Sequence, residues 1–176
     1  MRRYNGIVSA HWYRKIPDMR HWLSLQAAMD LRQQLDQSNK RLVFTNGVFD
    51  LLHVGHLDYL EKARQLGDAL IVAINDDAST RRYKGDGHPL IPADERARLL
   101  LALQPVDAVL TFSEATADRL LTAIQPHIYA KGGDYTPETL PEYPTVQAYG
   151  GRVALIDYLP NHSTSDLIRK IKALPE

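Results

Sequence analysis

Apolar residues recur along this chain with two different periods, and the alternation between them predicts its architecture. Apolar side chains at every fourth position from Leu23 to Leu35 predict an amphipathic helix over 22–37, ended by Ser38. The run Ala69–Ile74 is continuously apolar, which is typical of a strand buried on both faces of a sheet. Strands of this kind are predicted at 41–45, 69–74, 107–112, 127–130 and 152–156.

Helical spacing returns between these strands. Gly67 is expected to cap the helix after the first strand, and Pro92 to lie in the first turn of a later one. Two prolines, Pro141 and Pro144, limit any helix near them to a short one. The predicted helices after the N-terminal one are 57–66, 92–103, 115–124, a short segment within 140–149, and 165–174.

Strands that alternate with helices predict a single Rossmann-like α/β domain. We expect a parallel five-stranded sheet with helices on both faces, plus an N-terminal helix. Residues 1–37 are expected to form an N-terminal extension and helix, and residues 38–176 the main domain. The N-terminal helix could pack on its own sheet or on a second subunit, and we expect a homo-oligomer, specifically a dimer.

Composition and charge narrow the function. The 176 residues carry a net charge of zero, so a basic nucleic-acid-binding face is not expected. Residues 1–19 could bind nucleic acid through their Arg, His and aromatic side chains, but a solvated or partner-packed arm is favoured. The absence of cysteine excludes disulfides and thiolate zinc sites. No apolar run reaches the roughly 20 residues of a membrane helix and no signal peptide is apparent, so we expect a cytoplasmic protein.

The segment Thr45–His56 carries the clearest chemistry. It runs from the end of the first long strand through a glycine-bearing turn into a predicted helix. His53 and His56 are three residues apart at the helix start, so their side chains share a face. Gly55 between them lets a phosphate approach the backbone, and a helix N-terminus favours anions. This pattern predicts a triphosphate site in which two imidazoles donate hydrogen bonds to phosphate.

Other interpretations of this segment are weaker. Two structural histidines would be the ordinary reading of an isolated His-x-x-His, but the preceding Asn46-Gly47 turn favours the binding site. Zinc would require a third ligand. The P-loop and Gly-x-Gly-x-x-Gly patterns are absent from the sequence.

Cationic and small residues elsewhere supply further candidates. Lys131 follows a predicted strand and is suited to a triphosphate or a sugar phosphate. Asp134, after two glycines, could accept hydrogen bonds from a ribose or stabilise a turn. Arg81, Arg82 and Lys84 form either a solvated loop or a clamp for a second phosphate-bearing substrate. Three further candidates have a structural alternative: Asp50 (substrate or helix cap), Arg96 (phosphates or an ion pair) and Ser163–Ser165 (phosphates or a cap).

These motifs together resemble a known family. Thr-Asn-Gly-x-Phe-Asp-x-x-His-x-Gly-His at 45–56 is similar to the His-x-Gly-His nucleotidyltransferase superfamily. Lys-Gly-Gly-Asp-Tyr at 131–135 and Ser-Thr-Ser at 163–165 narrow the resemblance to D-glycero-β-D-manno-heptose 1-phosphate adenylyltransferases, which resemble the adenylyltransferase half of the bifunctional ADP-heptose synthesis protein. The similarity covers roughly residues 38 to 173.

The resemblance implies transfer of AMP from ATP to a sugar 1-phosphate, with Mg²⁺ carried by the phosphates and no metal site in the protein. His53, His56 and Lys131 would be catalytic, and Asp50, Arg82, Lys84 and Arg96 would bind the sugar phosphate. The expected nucleotide-binding set is Thr45, Asn46, Gly47, Val48, Phe49, His53, Gly55, His56, Lys131, Gly132, Asp134, Ser163, Thr164 and Ser165.

Two alternatives stay open at this stage. A cytidylyltransferase for glycerol 3-phosphate or an aminoalcohol phosphate is compatible with the early motifs, and a non-catalytic nucleotide-binding regulator would be a protein of another class. The segment 136–145 could be a lid or a surface loop.

Overall fold

A sheet of parallel strands forms the centre of the fold. In this computed structural model the described residues are 21–133, 135–136, 138–160 and 162–175. Across the described part of the sheet the order is β1-β4-β3-β2-β5-β6, and all neighbouring strands are parallel. The strands are β1 (His21–Trp22), β2 (Leu42–Gly47), β3 (Ala69–Asn75), β4 (Ala108–Phe112), β5 (Ile128–Gly132) and β6 (Arg152–Ile156).

The prediction of five strands was wrong by one. The additional strand, β1, is only two residues long and pairs with β4 through His21 and Ala108. Two residues are too few to produce a period in the sequence, so the pattern assigned Trp22 to the following helix instead.

Helices occupy both sides of the sheet. The first begins at Leu25 because the Ser24 side chain accepts a hydrogen bond from the Ala27 N–H and caps it there. The helices of the described residues are α1 (Leu25–Gln37), α2 (Val54–Arg64), α3 (Asp77–Lys84), α4 (Ala93–Ala102), α5 (Asp118–Ile124), α6 (Tyr143–Ala148) and α7 (Thr164–Lys172).

Helices α2 and α3 differ from the sequence prediction, and α2 begins at Val54 rather than Leu57. Helix α2 ends at Arg64, with Gln65 rather than Gly67 as its C-cap. Gly67 is needed instead for close packing, because a Cβ there would lie 2.7 Å from the carbonyl oxygen of Arg41. Helix α3 was not predicted, since its sequence is almost wholly polar; the Asp76 side chain caps it by accepting a hydrogen bond from the Ser79 N–H.

The core has two layers, one on each face of the sheet. On one face α1 packs on its own sheet through Ala28, Leu31 and Leu35, beside α5 and α6. On the other face Leu60 of α2 and Leu100 of α4 are fully buried against the strands. The described domain is therefore an α/β fold with a parallel sheet covered on both faces.

The strand order fixes where a ligand can bind. From β2 the chain passes to β3 and β4 on one side, and then crosses to β5 and β6 on the other. Connections that leave β2 in opposite directions create a crevice at the carboxyl ends of β2 and β5, where ligands bind in open α/β sheets. Asn46 and Lys131 lie at these two strand ends.

Candidate active site

A cavity of about 660 Å³ opens at the carboxyl ends of the central strands. One wall, which we call the histidine wall, is the turn and helix start from Asn46 to His56. The opposite wall, which we call the serine wall, comprises Tyr158–Pro160, His162–Thr164 and Asp166 before and within α7. The end of β5 joins the two. The cavity therefore brings together most of the sequence-predicted candidates: Asn46, Gly47, Val48, Phe49, Asp50, His53, Gly55, His56, Lys84, Lys131, Gly132, Ser163 and Thr164.

The two histidines are held at the start of α2 by a reciprocal cap. His53 Nδ1 accepts a hydrogen bond from the Gly55 N–H at 3.1 Å, and His56 Nδ1 accepts one from the His53 N–H at 3.4 Å. The rings lie with their centroids 4.0 Å apart. Since each Nδ1 is an acceptor, the proton of each neutral ring is on Nε2, which is the nitrogen that can donate to a phosphate oxygen.

Both rings are neutral near pH 7. Burial lowers the pKa of His56 to about 4, with further lowering by His53 and Lys84. Burial likewise lowers the pKa of His53, and His162 adds to the effect. The site therefore presents two neutral N–H donors at the positive end of a helix dipole, which suits a phosphate.

The turn that carries the histidines is braced by Asp50. This carboxylate is buried and accepts hydrogen bonds from the Leu90 and Ile91 N–H groups at 2.8 to 2.9 Å, and His88 Nδ1 lies 3.2 Å away. Burial alone would raise the pKa of Asp50, but these donors bring it below its ordinary value. Asp50 does not cap helix α2, because His53 is the N-cap. Its oxygens tie the turn to the 88–91 segment.

Arg96 also fixes this turn, through hydrogen bonds of its buried side chain. Its side chain is fully buried and donates to Val48 O at 2.6 Å, Ile91 O at 2.8 Å and Asp77 Oδ1 at 2.8 Å. The residue does not line the cavity. Of the two sequence interpretations of Arg96, this placement corresponds to the structural ion pair, and contact with the phosphates would require the guanidinium to leave these partners.

Lys131 lies between the two walls. Its Nζ donates hydrogen bonds to Asn46 Oδ1 and to the Tyr129 hydroxyl, both at 3.2 Å, and lies 3.7 Å from Glu142 Oε1. Burial lowers the pKa of Lys131, while Glu142 acts in the opposite direction. The cation is therefore fixed in the cavity wall before any ligand arrives.

The serine wall is built from local contacts around Ser163, and at its other end the Tyr158 hydroxyl donates to Gly132 O at 3.0 Å. Ser163 is the N-cap of α7, as the sequence predicted; its hydroxyl accepts from the Asp166 N–H at 3.0 Å and donates to Asp166 Oδ2 at 2.8 Å. The wall meets the histidine wall at Gly55, where a Cβ would lie 3.0 Å from His162. Gly55 thus permits close contact between the two walls.

The cationic cluster of α3 is divided by the fold. Lys84 lines the cavity. Arg82 instead donates to Ser113 O at 2.6 Å and does not line it, and neither does Arg81. Since these residues form a helix rather than a loop, their side chains point in different directions, which the sequence did not reveal.

Three other candidates lie away from the cavity or outside the described residues. The Thr45 hydroxyl is buried and lies 2.6 Å from the Tyr59 hydroxyl, so it faces the core. Ser165 is exposed in the first turn of α7 and does not line the cavity. Asp134 is outside the described residues, as is the predicted arm 1–19.

Sequence reasoning did not identify several residues of the cavity. Glu142 belongs to no motif, and only tertiary packing brings it to Lys131. The 136–145 segment, considered as a lid or a loop, contributes Pro141 and Glu142 to the wall. Other lining residues that were missed are Tyr59, Asn75, Tyr83, Thr116, Tyr158 and His162.

Neither a protein metal cage nor a membrane helix is found in the described ranges. No group of three or more metal-ligating His, Asp or Glu side chains occurs there. None of the helices described above is long and apolar enough to cross a bilayer.

Comparison with known proteins identifies a family and relatives of similar sequence. The sequence profile of the family described as "Cytidylyltransferase-like" matches residues 44–170. The "Bifunctional protein HldE" of Pelobacter propionicus is 52% identical over 132 residues, which is 75% of this chain and 27% of that protein. The protein of the same name from Syntrophotalea carbinolica is 48% identical over 158 residues, 86% of this chain and 32% of that protein. The chain therefore spans about a third or less of the length of these relatives.

Solved structures show the same fold. The lipopolysaccharide core biosynthesis protein of Thermoplasma volcanium has a TM-score of 0.57 and 25% identity, covering 68% of this chain and 97% of that one. Pantothenate synthetase of Thermus thermophilus has a TM-score of 0.58 over 80% of this chain and 62% of that one, and at 18% identity it supports the fold alone.

Proposed function

This chain belongs to the cytidylyltransferase-like family, and on that premise we propose that it is a nucleotidyltransferase that transfers AMP from ATP to a sugar 1-phosphate. The proposed acceptor is D-glycero-β-D-manno-heptose 1-phosphate, and the products are ADP-heptose and pyrophosphate. The motifs at 131–135 and 163–165 and the relatives named HldE support this choice of acceptor. The reaction draws on cellular ATP, which supports a cytoplasmic location.

The observation that carries the proposal is a pair of neutral imidazoles and a partly buried lysine that line one cavity. In the proposed reaction an oxygen of the acceptor phosphate attacks the α-phosphorus of ATP. The bond from that phosphorus to the α–β bridging oxygen breaks, and the pyrophosphate leaves with the electron pair. The acceptor is already an anion, so no general base is required and catalysis consists of positioning and charge stabilisation.

Each wall has a part in this proposal. His53 and His56 donate their Nε2–H groups to the α- and β-phosphates, whose oxygens gain charge in the transition state. Lys131 and the α7 start at Ser163 hold the departing pyrophosphate. Lys84, at the β3 side of the cavity, binds the acceptor phosphate.

A divalent metal is generally used by nucleotidyltransferases, and we propose Mg²⁺ here. Phosphate oxygens are the ligands that Mg²⁺ prefers at such sites, so the ion would be carried by ATP and would neutralise part of the phosphate charge. No residue of this chain is assigned to it.

The test is pyrophosphate release with ATP or CTP against heptose 1-phosphates, glycerol 3-phosphate and aminoalcohol phosphates. We expect release with ATP and a heptose 1-phosphate. The family description makes a cytidylyltransferase the second candidate, and release with CTP alone would establish it in place of our proposal. No release with any pair would favour a non-catalytic nucleotide-binding protein.

A further inference from the structure

A buried carboxylate lies in the cavity wall beside Lys131. Glu142, the residue immediately before α6, is 4% exposed and lines the cavity. Its Oε2 makes no hydrogen bond to any described residue, and its Oε1 lies 3.7 Å from Lys131 Nζ. A buried carboxylate with one oxygen left without a hydrogen bond destabilises the protein unless a cation compensates it. The ionic contact with Lys131 is the compensation that the structure offers.

One N–H group of the Lys131 ammonium can still donate to a ligand. An ammonium group has three N–H donors. Two go to Asn46 Oδ1 and the Tyr129 hydroxyl, and the 3.7 Å contact with Glu142 is too long for a hydrogen bond. Within the described part of the chain, the third N–H is thus available to a ligand oxygen, while Glu142 supplies charge without occupying it.

We infer that Glu142 is a positioning residue that keeps the partly buried Lys131 ammonium charged and directed into the cavity, so that it can bind a phosphate oxygen of the nucleotide. The inference rests on the proposed function for the identity of that anion. The ionic coupling of the two side chains exists in the free protein and can be measured without any substrate.

The backbone around Glu142 is well anchored for this role. Leu140 and Val146 on either side are buried in the core. The Thr145 hydroxyl donates to Asp118 Oδ1, which ties α6 to α5. The carboxylate is therefore held beside the lysine by elements that do not belong to either wall.

The charge balance at Lys131 depends on few groups. Burial lowers the pKa of Lys131, and Glu142 opposes that lowering. Burial raises the pKa of Tyr129, with Glu142 contributing, so this hydroxyl stays neutral and does not replace the carboxylate. Tyr135 contributes only its ring face, 6.0 Å from Nζ. The remaining titratable side chains that line the cavity are Asp50, His53, His56, Tyr59, Tyr83, Lys84, Tyr158, His162 and Asp166.

The test compares Glu142→Gln with the wild-type protein and with a matched control variant, all without ligand. The titration of Lys131 is followed by the NMR signal of its Cε, assigned by its loss in Lys131→Arg. We expect the pKa of Lys131 to be lower by roughly one unit or more in Glu142→Gln, because the amide keeps the volume but not the charge. Glu142→Asp, which keeps the charge, should leave the pKa of Lys131 close to its wild-type value. Glu138→Gln, an exposed neighbour, should leave the titration unchanged.

Calorimetric binding of ATP at pH 7 and pH 9 gives the functional readout. The affinity of Glu142→Gln for ATP should fall between these pH values by roughly threefold to sixfold more than that of the wild type, because less of the lysine is charged at pH 9. An unchanged Lys131 titration in a folded Glu142→Gln protein would overturn the inference, and so would an equal pH dependence of ATP binding. A wild-type protein that does not bind ATP would refute the proposed function instead, while the titration would still report on Glu142.

Discussion

The two walls of the cavity are built in different ways. The histidine wall is braced by buried groups on several elements: Asp50 accepts two N–H groups of the 88–91 segment, and the fully buried Arg96 donates to Val48 O. Around Ser163 the serine wall depends on short-range contacts with Asp166, and its long-range hydrogen bond is the exposed one from the Tyr158 hydroxyl to Gly132 O. Helix α7, which continues that wall, has no buried residue.

The difference indicates that the two walls have different functions. Groups whose position is fixed by buried hydrogen bonds are preorganised, as transition-state stabilisation requires. A helix start held by local contacts can adjust to a ligand at little energetic cost. We therefore expect changes in the histidine wall to affect stability and turnover, and changes in the serine wall to affect nucleotide affinity.

Arg96→Met tests the bracing and should have the largest effect. It removes three hydrogen bonds, so the Val48 and Ile91 carbonyl oxygens lose this donor, while Asp77 keeps its hydrogen bond from the Ala93 N–H. The free energy of unfolding, measured with urea, should fall by about 2–4 kcal/mol, because two carbonyl groups lose a charged donor and Asp77 is partly exposed to solvent. Arg98→Met on the exposed face of the same helix is the control, and an equal loss in both variants would show that the bracing is unimportant.

His56→Ala tests the chemical role of the histidine wall. It removes one donor to the phosphates, so kcat should fall by about 10²–10³. His21→Ala, an exposed histidine on β1, should retain wild-type turnover. Near-normal kcat in His56→Ala would eliminate the role assigned to this side chain.

The pH dependence of stability tests the neutral state of His56. Its pKa is lowered from 6.5 to about 4 in the folded protein, so between these values the unfolded chain binds the proton more tightly. Stability should therefore fall as the pH is lowered through this window, by roughly 2–3 kcal/mol for this group. In His56→Gln, glutamine can keep the cap but does not titrate, so the fall measured by urea unfolding should be smaller. An identical pH dependence in both proteins would contradict the neutral assignment.

Ser163→Ala tests the serine wall and should have the smallest effect. Loss of the cap weakens the start of α7 by about 1 kcal/mol. We expect a rise in the KM for ATP of roughly tenfold or less, with kcat nearly unchanged. Ser24→Ala, which removes the equivalent cap of α1 far from the cavity, should leave the KM unchanged. A loss of kcat as large as that of His56→Ala would remove the distinction between the walls.

The same contrast explains what the sequence could reveal. The strand, turn and capped helix from Thr45 to His56 are local, so spacing alone predicted how the two histidines lie together. The position of Arg96 depends on partners 5, 19 and 48 residues away, and no local pattern encodes them. Glu142 was missed for the same reason. Helix α3 was missed because its capped, polar sequence has no apolar stripe.

The proposed transfer of AMP in this cavity is tested most directly by the fate of isotope-labelled ATP. The protein is incubated with D-glycero-β-D-manno-heptose 1-phosphate and ATP labelled at either the α- or the γ-phosphorus. We predict that the α label appears in a nucleotide-sugar and the γ label in pyrophosphate, and that His56→Ala slows both. Transfer of the γ label to the sugar, or the absence of a labelled nucleotide-sugar, would contradict the account.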